Sequence, residues 1–339
     1  MQIGIDSFVI HESGFNLREP QGAVKRIGQL LDEVQLAEKV GLDVFAIGEH
    51  HRPEYVASSP AVLLAAAAAK TSRITLASAV TVLSSDDPIR VYQDFATIDL
   101  ISNGRAEIIV GRGSFTESYP LFGYDLSQYD LLFAEKLDLL LTVNEQENVY
   151  WQGTHRTELT GQGVYPRPVR PRLPIRLGVG GSPGSFVRAG ILGLPLTVAI
   201  IGGDPARFRP YIDRYRQAWL DNDHPEAEMD VAVHSIGFAG ETDDEAAETF
   251  YPSYSEVMSR IGAERGWPPQ SRAQYDASRS LTGGLFVGSP ESLAAKIRRM
   301  DEALGGISRF TLQADASKVP FERRLRNIEL LAETKQLMA

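Results

Sequence analysis

"RITLASAVTVLSSDDPIRVYQDFATIDLISNGRAEIIVG", residues 73–111, is the stretch whose reading decides the fold. Two apolar runs, 73–82 and 105–111, flank a segment opened by Pro88 in which apolar positions recur at helical spacing. The runs read as strands and the middle, 88–101, as a helix, with proline at its first position, where a missing N–H costs nothing. A helix between two strands is the crossover that parallel strands require, because the end of one lies far from the start of the next.

The same alternation extends in both directions. Strands are expected at 2–8, 43–47, 174–180, 194–200, 230–240 and 307–313. Helices are expected at 23–40, 59–71, 127–144, 185–193, 205–221, 243–262, 289–304 and 318–337. Gly41 caps the first of these, and Ser59-Pro60 opens the second. Eight strands each followed by a helix, with no shift in composition, predict one α/β domain over 1–339. The expected architecture is a (β/α)8 TIM barrel, with a doubly wound open sheet as the alternative. Insertions fall at about 113–126, 148–172 and 263–288. The middle one is irregular and rich in Gly, Pro and Tyr. The polar stretch 263–282, with "GWPPQSRAQ", reads as a functional or partner-contacting loop.

Composition excludes several classes. The 339 residues are 43% apolar and 23% charged, as in globular proteins, and no cysteine is present for a disulfide or a thiolate metal site. A net charge of −10 repels nucleic acid and anionic lipid. The basic "RPVRPR", 167–172, reads as a surface loop. The apolar run 60–69 is about half the length of a membrane span, and "MQIGIDSFVI" lacks the pattern of a secretory signal. The expected location is cytoplasmic, with no membrane or nucleic-acid partner.

In a parallel barrel the functional groups lie at the C-terminal ends of the strands. There the sequence places Asp6, Ser7 and Phe8, then "GEHHRPEY" (48–55), "AVTVLSSDDP", Arg112, and finally Gly180, Gly181, Ser182 and Ser185 of "GVGGSPGSF" (178–186). The glycines let backbone N–H groups approach a ligand closely, and the following helix points its positive end the same way. Arg112 can pair with a phosphate through two parallel bonds, at about 1.5–3 kcal/mol per charged hydrogen bond. The helix terminus adds about 0.3–1 kcal/mol. The turn read alone is equally a tight bend before a helix.

His50 and His51 admit three readings. As metal ligands they need a third partner, and neighbours on an extended segment point apart. As structural groups they pair with Glu49 or Glu54. As a pocket residue, one imidazole serves as acid, base or donor. A serine hydrolase is disfavoured, since no G-x-S-x-G elbow occurs.

"GLDVFAIGEHH", "SRITLASAVTVLSSDDPIRVYQDFATIDLISNGRAEIIVGRGSF" and "YPLFG", with "VGSPESLAAKI" and "GISRFTLQ" near the end, resemble the bacterial luciferase-like flavin-dependent monooxygenases. The resemblance implies a (β/α)8 barrel that takes reduced FMN as co-substrate, supplied by a separate NAD(P)H-dependent flavin reductase. It implies an FMN-dependent monooxygenase in which O2 reacts at the flavin C4a and the resulting peroxide oxygenates a small organic substrate. Carried over by position, His50 matches the histidine beside that peroxide. Arg112 matches an FMN contact, Gly180, Gly181, Ser182 and Ser185 the phosphate loop, and Ala79–Val80 a non-proline cis peptide. Relatives form homodimers or higher homo-oligomers. The reactive cysteine of the luciferases proper has no counterpart here, so light emission is not expected. A deazaflavin-dependent hydride-transfer enzyme, a non-catalytic flavin-binding protein and a metal hydrolase using His50 and His51 remain as alternatives.

Overall fold

The computed structural model describes residues 1–11, 20–113, 115–315 and 319–338. Eight strands make the central sheet: β1 (Gln2–Ser7), β2 (Val44–Ile47), β3 (Thr75–Ser78), β4 (Ala106–Gly111), β5 (Ile175–Val179), β6 (Leu196–Ala199), β7 (Val231–Ala239) and β8 (Arg309–Gln313). Every neighbouring pair is parallel. β8 runs beside β1 from Gln2↔Arg309 to Asp6↔Gln313 and beside β7 from Ala232↔Arg309 to Ile236↔Gln313, which closes the ring. The fold is the (β/α)8 TIM barrel, and the open sheet is excluded.

Among the described residues, nine longer helices cover the ring: α1 (Gln21–Lys39), α2 (Pro60–Ala68), α3 (Pro88–Ser102), α4 (Tyr129–Glu145), α5 (Pro183–Ile191), α6 (Arg209–Asp221), α7 (Asp243–Glu264), α8 (Pro290–Leu304) and α9 (Phe321–Met338). Their limits follow from local chemistry. Asp87 accepts from the Ile89 and Arg90 N–H groups at the start of α3, and Asn103 ends it in the left-handed region at φ 55°. Ser289 caps α8 in the same way, accepting from Ser292 N–H. No described helix is long and apolar enough to cross a membrane.

Three segments differ from the sequence reading. The expected strand 73–82 breaks into β3 and a two-residue piece, Thr81–Val82, which pairs again with β4. The Ala79–Val80 peptide between them is cis. The insertion 148–172 holds an antiparallel hairpin, Asn148–Trp151 with Leu159–Gly163. The insertion 263–288 holds a short helix, Arg272–Arg279, and a ninth parallel strand, Phe286–Gly288, on the outer end of β7. That strand exists because β7 overruns its neighbours and leaves a free edge at Gly237–Ala239. The approach there is close: a Cβ on Gly237 would lie 1.9 Å from the Phe286 carbonyl oxygen.

Strand residues alternate between two environments. Ile3, Ile5, Phe45, Leu76, Ile108, Leu177, Val198 and Phe310 pack under the helices, where the main core lies. The inward set is polar at the base. Arg309 of β8 reaches across to Glu107 on the opposite strand, β4, with Nη2 3.0 Å from Oε2, and donates to Gln2 Oε1 at 2.8 Å. Arg176 pairs with Asp230 at 2.7 Å in the same layer.

A buried pair of this kind is costly to break and cheap to replace, because one lone charge is left in a low-dielectric interior. Arg309→Met is therefore expected to lower the unfolding free energy by about 3–5 kcal/mol, whereas Arg309→Met with Glu107→Leu recovers most of the loss. Urea denaturation of both variants checks this.

Candidate active site

A cavity of ≈ 430 Å³ opens at the C-terminal end of the barrel, within the size range of small-ligand sites. His50, Ala79, Val80, Arg112, Gly180, Gly181 and Ser185 all line it, so four consecutive strand ends and their loops deliver them to one wall. Ser182 does not. It sits exposed at the N-cap of α5 in extended conformation (ψ 112°), and neighbours on an extended segment face opposite ways.

The crowd of ionisable groups after β2 separates into distinct tasks. Glu49 is buried, its Oε2 accepting from Val82 N–H and its Oε1 pairing with His51 Nε2, both at 2.9 Å. This carboxylate ties β2 to the strand piece beside it and holds His51 away from the cavity. Arg52 donates two 2.8 Å bonds to Glu264 at the end of α7 and one of 2.6 Å to Glu117. Glu54 pairs with Arg260 of α7 at 3.2 Å. These ion pairs fix α7 over the opening, and Phe250, Tyr254, Met258 and Ile261 on one face of that helix make an apolar roof.

His50 is left for the cavity. Its backbone N–H donates to Ala57 O at 3.0 Å, while the ring is packed among Phe8 and Tyr55, each 4.4 Å away centre to centre, and Phe115 at 5.2 Å. Nε2 is buried without a hydrogen-bond partner. Burial in this aromatic cage, helped by the positive charges of His51 and Arg52, lowers its pKa to about 3. The imidazole is thus neutral at physiological pH, with one nitrogen unsatisfied, which costs about 1–3 kcal/mol until a ligand supplies a partner. Among the described residues no group of three His, Asp or Glu converges as metal ligands.

The wall beside His50 is apolar. Val44, Ala46, Ala77 and Ile109 form a small buried cluster with Ala79 and Val80 against it. Val80 lies directly over two glycines: a Cβ on Gly111 would fall 2.7 Å from one of its methyls, and a Cβ on Gly178 2.8 Å from the other. Farther out, the Cβ positions of Gly180 and Gly181 meet nothing within 4 Å, so the backbone of the turn before α5 is open to a ligand. Arg112 stands near this turn with its Nη1 on Tyr129 Oη (3.0 Å) and on the half-exposed Asp130 carboxylate.

The opposite wall carries residues that sequence reasoning missed. His234 of β7 faces the cavity with Nδ1 2.7 Å from Asp6 Oδ2 on β1. Thr311 lies beside His234 in register, and Gln313 beside Asp6. Burial works against a charge on His234, but the Asp6 carboxylate at hydrogen-bond distance outweighs it and holds its pKa above the usual histidine range. The signal in the sequence was inward parity: His234 falls between Ala232 and Ile236, which also line the cavity. Arg265 and Trp267, from the polar stretch after α7, reach the mouth as well.

Comparison with known proteins identifies the family. The family model for luciferase-like monooxygenases matches residues 5–306. The chain belongs to that family. An N-acetyl-S-alkylcysteine monooxygenase of Bacillus subtilis is 26% identical over 83% of this chain and 85% of its own. An uncharacterized protein of Sinorhizobium fredii is 30% identical over 47% of each chain, so this chain spans about half the length of that relative. Among solved structures, the monooxygenase RslO1 from Streptomyces bottropensis superposes with a TM-score of 0.85 at 23% identity, covering 99% of both chains. The oxygenating constituent of 3,6-diketocamphane monooxygenase from Pseudomonas putida, a type II Baeyer-Villiger monooxygenase in complex with FMN, gives 0.78 at 18% identity over 98% and 97%. A coenzyme F420 dependent tetrahydromethanopterin reductase from Methanopyrus kandleri gives 0.73 at 18% identity over 98% and 97%. At these identities the structures establish the shared barrel.

His50 gives a pH test. With a folded pKa of about 3 against 6.5 when free, only the unfolded chain binds its proton between those values, so stability falls as pH falls through that window. Between about pH 6 and 4, unfolding free energy is expected to drop more steeply in the parent protein than in His50→Gln, by up to about 1.4 kcal/mol per pH unit. Urea titrations at several pH values read the difference. Parallel slopes would place His50 in water.

Proposed function

We propose that this protein is an FMN-dependent monooxygenase which receives reduced FMN from a separate NAD(P)H-dependent flavin reductase and uses O2 to oxygenate a small organic substrate. One observation carries the reading. A neutral histidine with an unsatisfied nitrogen, an apolar wall and an open Gly-Gly turn beside an arginine face the same cavity.

The residues suit the cofactor part by part. Val80 and the small side chains around it offer a surface on which a planar tricyclic ring can lie. The Gly180–Gly181 backbone and Ser185 offer donors to a phosphate, and the N-terminus of α5 adds a favourable dipole. Arg112 is able to exchange the half-exposed Asp130 for that phosphate, since an exposed ion pair contributes little. Reduced FMN, when bound, supplies the activation of O2 from which one oxygen atom passes to the substrate. His50 donates or accepts a hydrogen bond at Nε2 without ever carrying charge at working pH. The aromatic cage and the roof formed by α7 exclude water, which suppresses loss of reactive oxygen as hydrogen peroxide.

Hydride transfer with coenzyme F420 is the second reading, supported by the F420-dependent reductase among the structural neighbours. The two part on oxygen. Mixing the protein with photoreduced FMN and air is expected to give a transient absorbance, distinct from both oxidised and reduced flavin, with delayed release of hydrogen peroxide. Reoxidation at the rate of free flavin, together with tighter binding of coenzyme F420 than of FMN, would replace the first reading with the second. Arg112→Ala is expected to weaken FMN binding by about 1.5–3 kcal/mol, roughly ten- to a hundredfold, and riboflavin binding hardly at all. Fluorescence titration with both flavins measures it.

A further inference from the structure

The wall formed by β7, β8 and β1 takes no part in the flavin site proposed above, yet it is not a saturated structural surface. Asp6 and His234 hold each other at 2.7 Å, but Asp6 Oδ1 is buried with no partner. No described residue bonds to His234 Nε2 either, and His234 lines the cavity. Buried polar groups in folded proteins are nearly always bonded, so a dyad left open on its cavity side needs a reason. Nδ1 is committed to the carboxylate, which leaves Nε2 as the polar atom that His234 offers to a ligand.

We infer that His234, oriented by Asp6, is the recognition group of a substrate subsite that takes a neutral, largely apolar molecule through one carbonyl oxygen. The inference rests on the flavin reading only for the word substrate; the subsite itself stands on its own geometry.

Charge and shape select that chemistry. On the wall itself the charged groups compensate one another, His234 with Asp6 and, at the base, Arg309 of β8 with Glu107, while Arg112 and Arg265 stand elsewhere on the cavity lining. Asp315, just past β8, is held toward its neutral form by burial, and His50 across the cavity is neutral. A ligand carboxylate or sulfonate against this wall would therefore lie beside the Asp6 carboxylate with no cation of its own there, at a desolvation cost. A neutral carbonyl oxygen needs only a donor, and Nε2–H of a histidine kept protonated by its carboxylate partner is a charge-assisted one. Phe250, Tyr254, Met258 and Ile261 above the dyad give the rest of the molecule an apolar surface, so a strongly hydrated substrate is disfavoured. The wall also lies across the cavity from the apolar surface of Val44, Ala46, Ala79 and Val80, which leaves room for a ligand between the two.

The test uses the flavin-free protein and three probes of one size: acetophenone, ethylbenzene and benzoate, titrated by calorimetry. Acetophenone is expected to bind at least about tenfold more tightly than either of the others, as one charge-assisted hydrogen bond supplies. In His234→Phe that preference disappears, while ethylbenzene affinity changes less than about twofold and FMN affinity is retained. A protein that fails to prefer acetophenone, or a preference that survives in His234→Phe, overturns the inference. Should His234→Phe not fold, the unaltered protein decides: the ¹⁵N resonance of His234 Nε2 moves on adding acetophenone and not ethylbenzene, and a resonance unmoved by both overturns it equally. Loss of FMN binding with the carbonyl preference intact would sink the flavin reading alone.

Discussion

Closure of the ring by β8, hydrogen-bonded to β7 on one edge and β1 on the other, is the constraint on which the rest of this structure depends. Once eight parallel strands close, all their C-terminal ends lie at one mouth, and every second side chain must face an interior that no solvent fills. Groups separated by more than two hundred residues then become neighbours without any local contact to bring them together. Arg309 meeting Glu107 at the base and His234 meeting Asp6 near the mouth are both products of that closure.

The interior that results is asymmetric. Strands β2 to β5 present small apolar side chains and glycines, while β7, β8 and β1 present Asp6, His234, Thr311 and Gln313. Glu49, at the cavity's edge, and Arg52, outside it, maintain the difference. Glu49 satisfies His51 and Val82 N–H, so that His50 alone of the pair enters the aromatic cage, and Arg52 holds the last turn of α7 as a roof. Two histidines in one cavity end in opposite states: His50 has only rings and cations about it, whereas His234 has a carboxylate at hydrogen-bond distance.

Much of this was legible in the sequence because it is written in local signals. Period, proline at helix starts and the Gly41 cap of the first helix mark the eight strand–helix units, and the barrel rule then assigns His50, Arg112, Gly180, Gly181, Ser182 and Ser185 to one rim. The cavity contains all of these except Ser182, which extended geometry turns outward. What escaped is non-local. Phe286–Gly288 is a strand only because β7 overruns its neighbours, and three residues carry no period to detect. His234 sits in a run that reads simply as a buried strand, and its significance appears only when β1 arrives beside β8 with Asp6 inward. The two ion pairs from Arg52 and Glu54 to α7 span over two hundred residues, beyond the reach of any spacing rule.

The account is tested most directly by a crystal structure of the protein soaked with FMN. Density for the ring system against Val80 within hydrogen-bond reach of His50, with the phosphate on Gly180, Gly181 and Ser185 and Arg112 turned from Asp130 toward it, is the expected result. Ordered flavin bound anywhere else on the molecule, with this cavity holding only water, would contradict it.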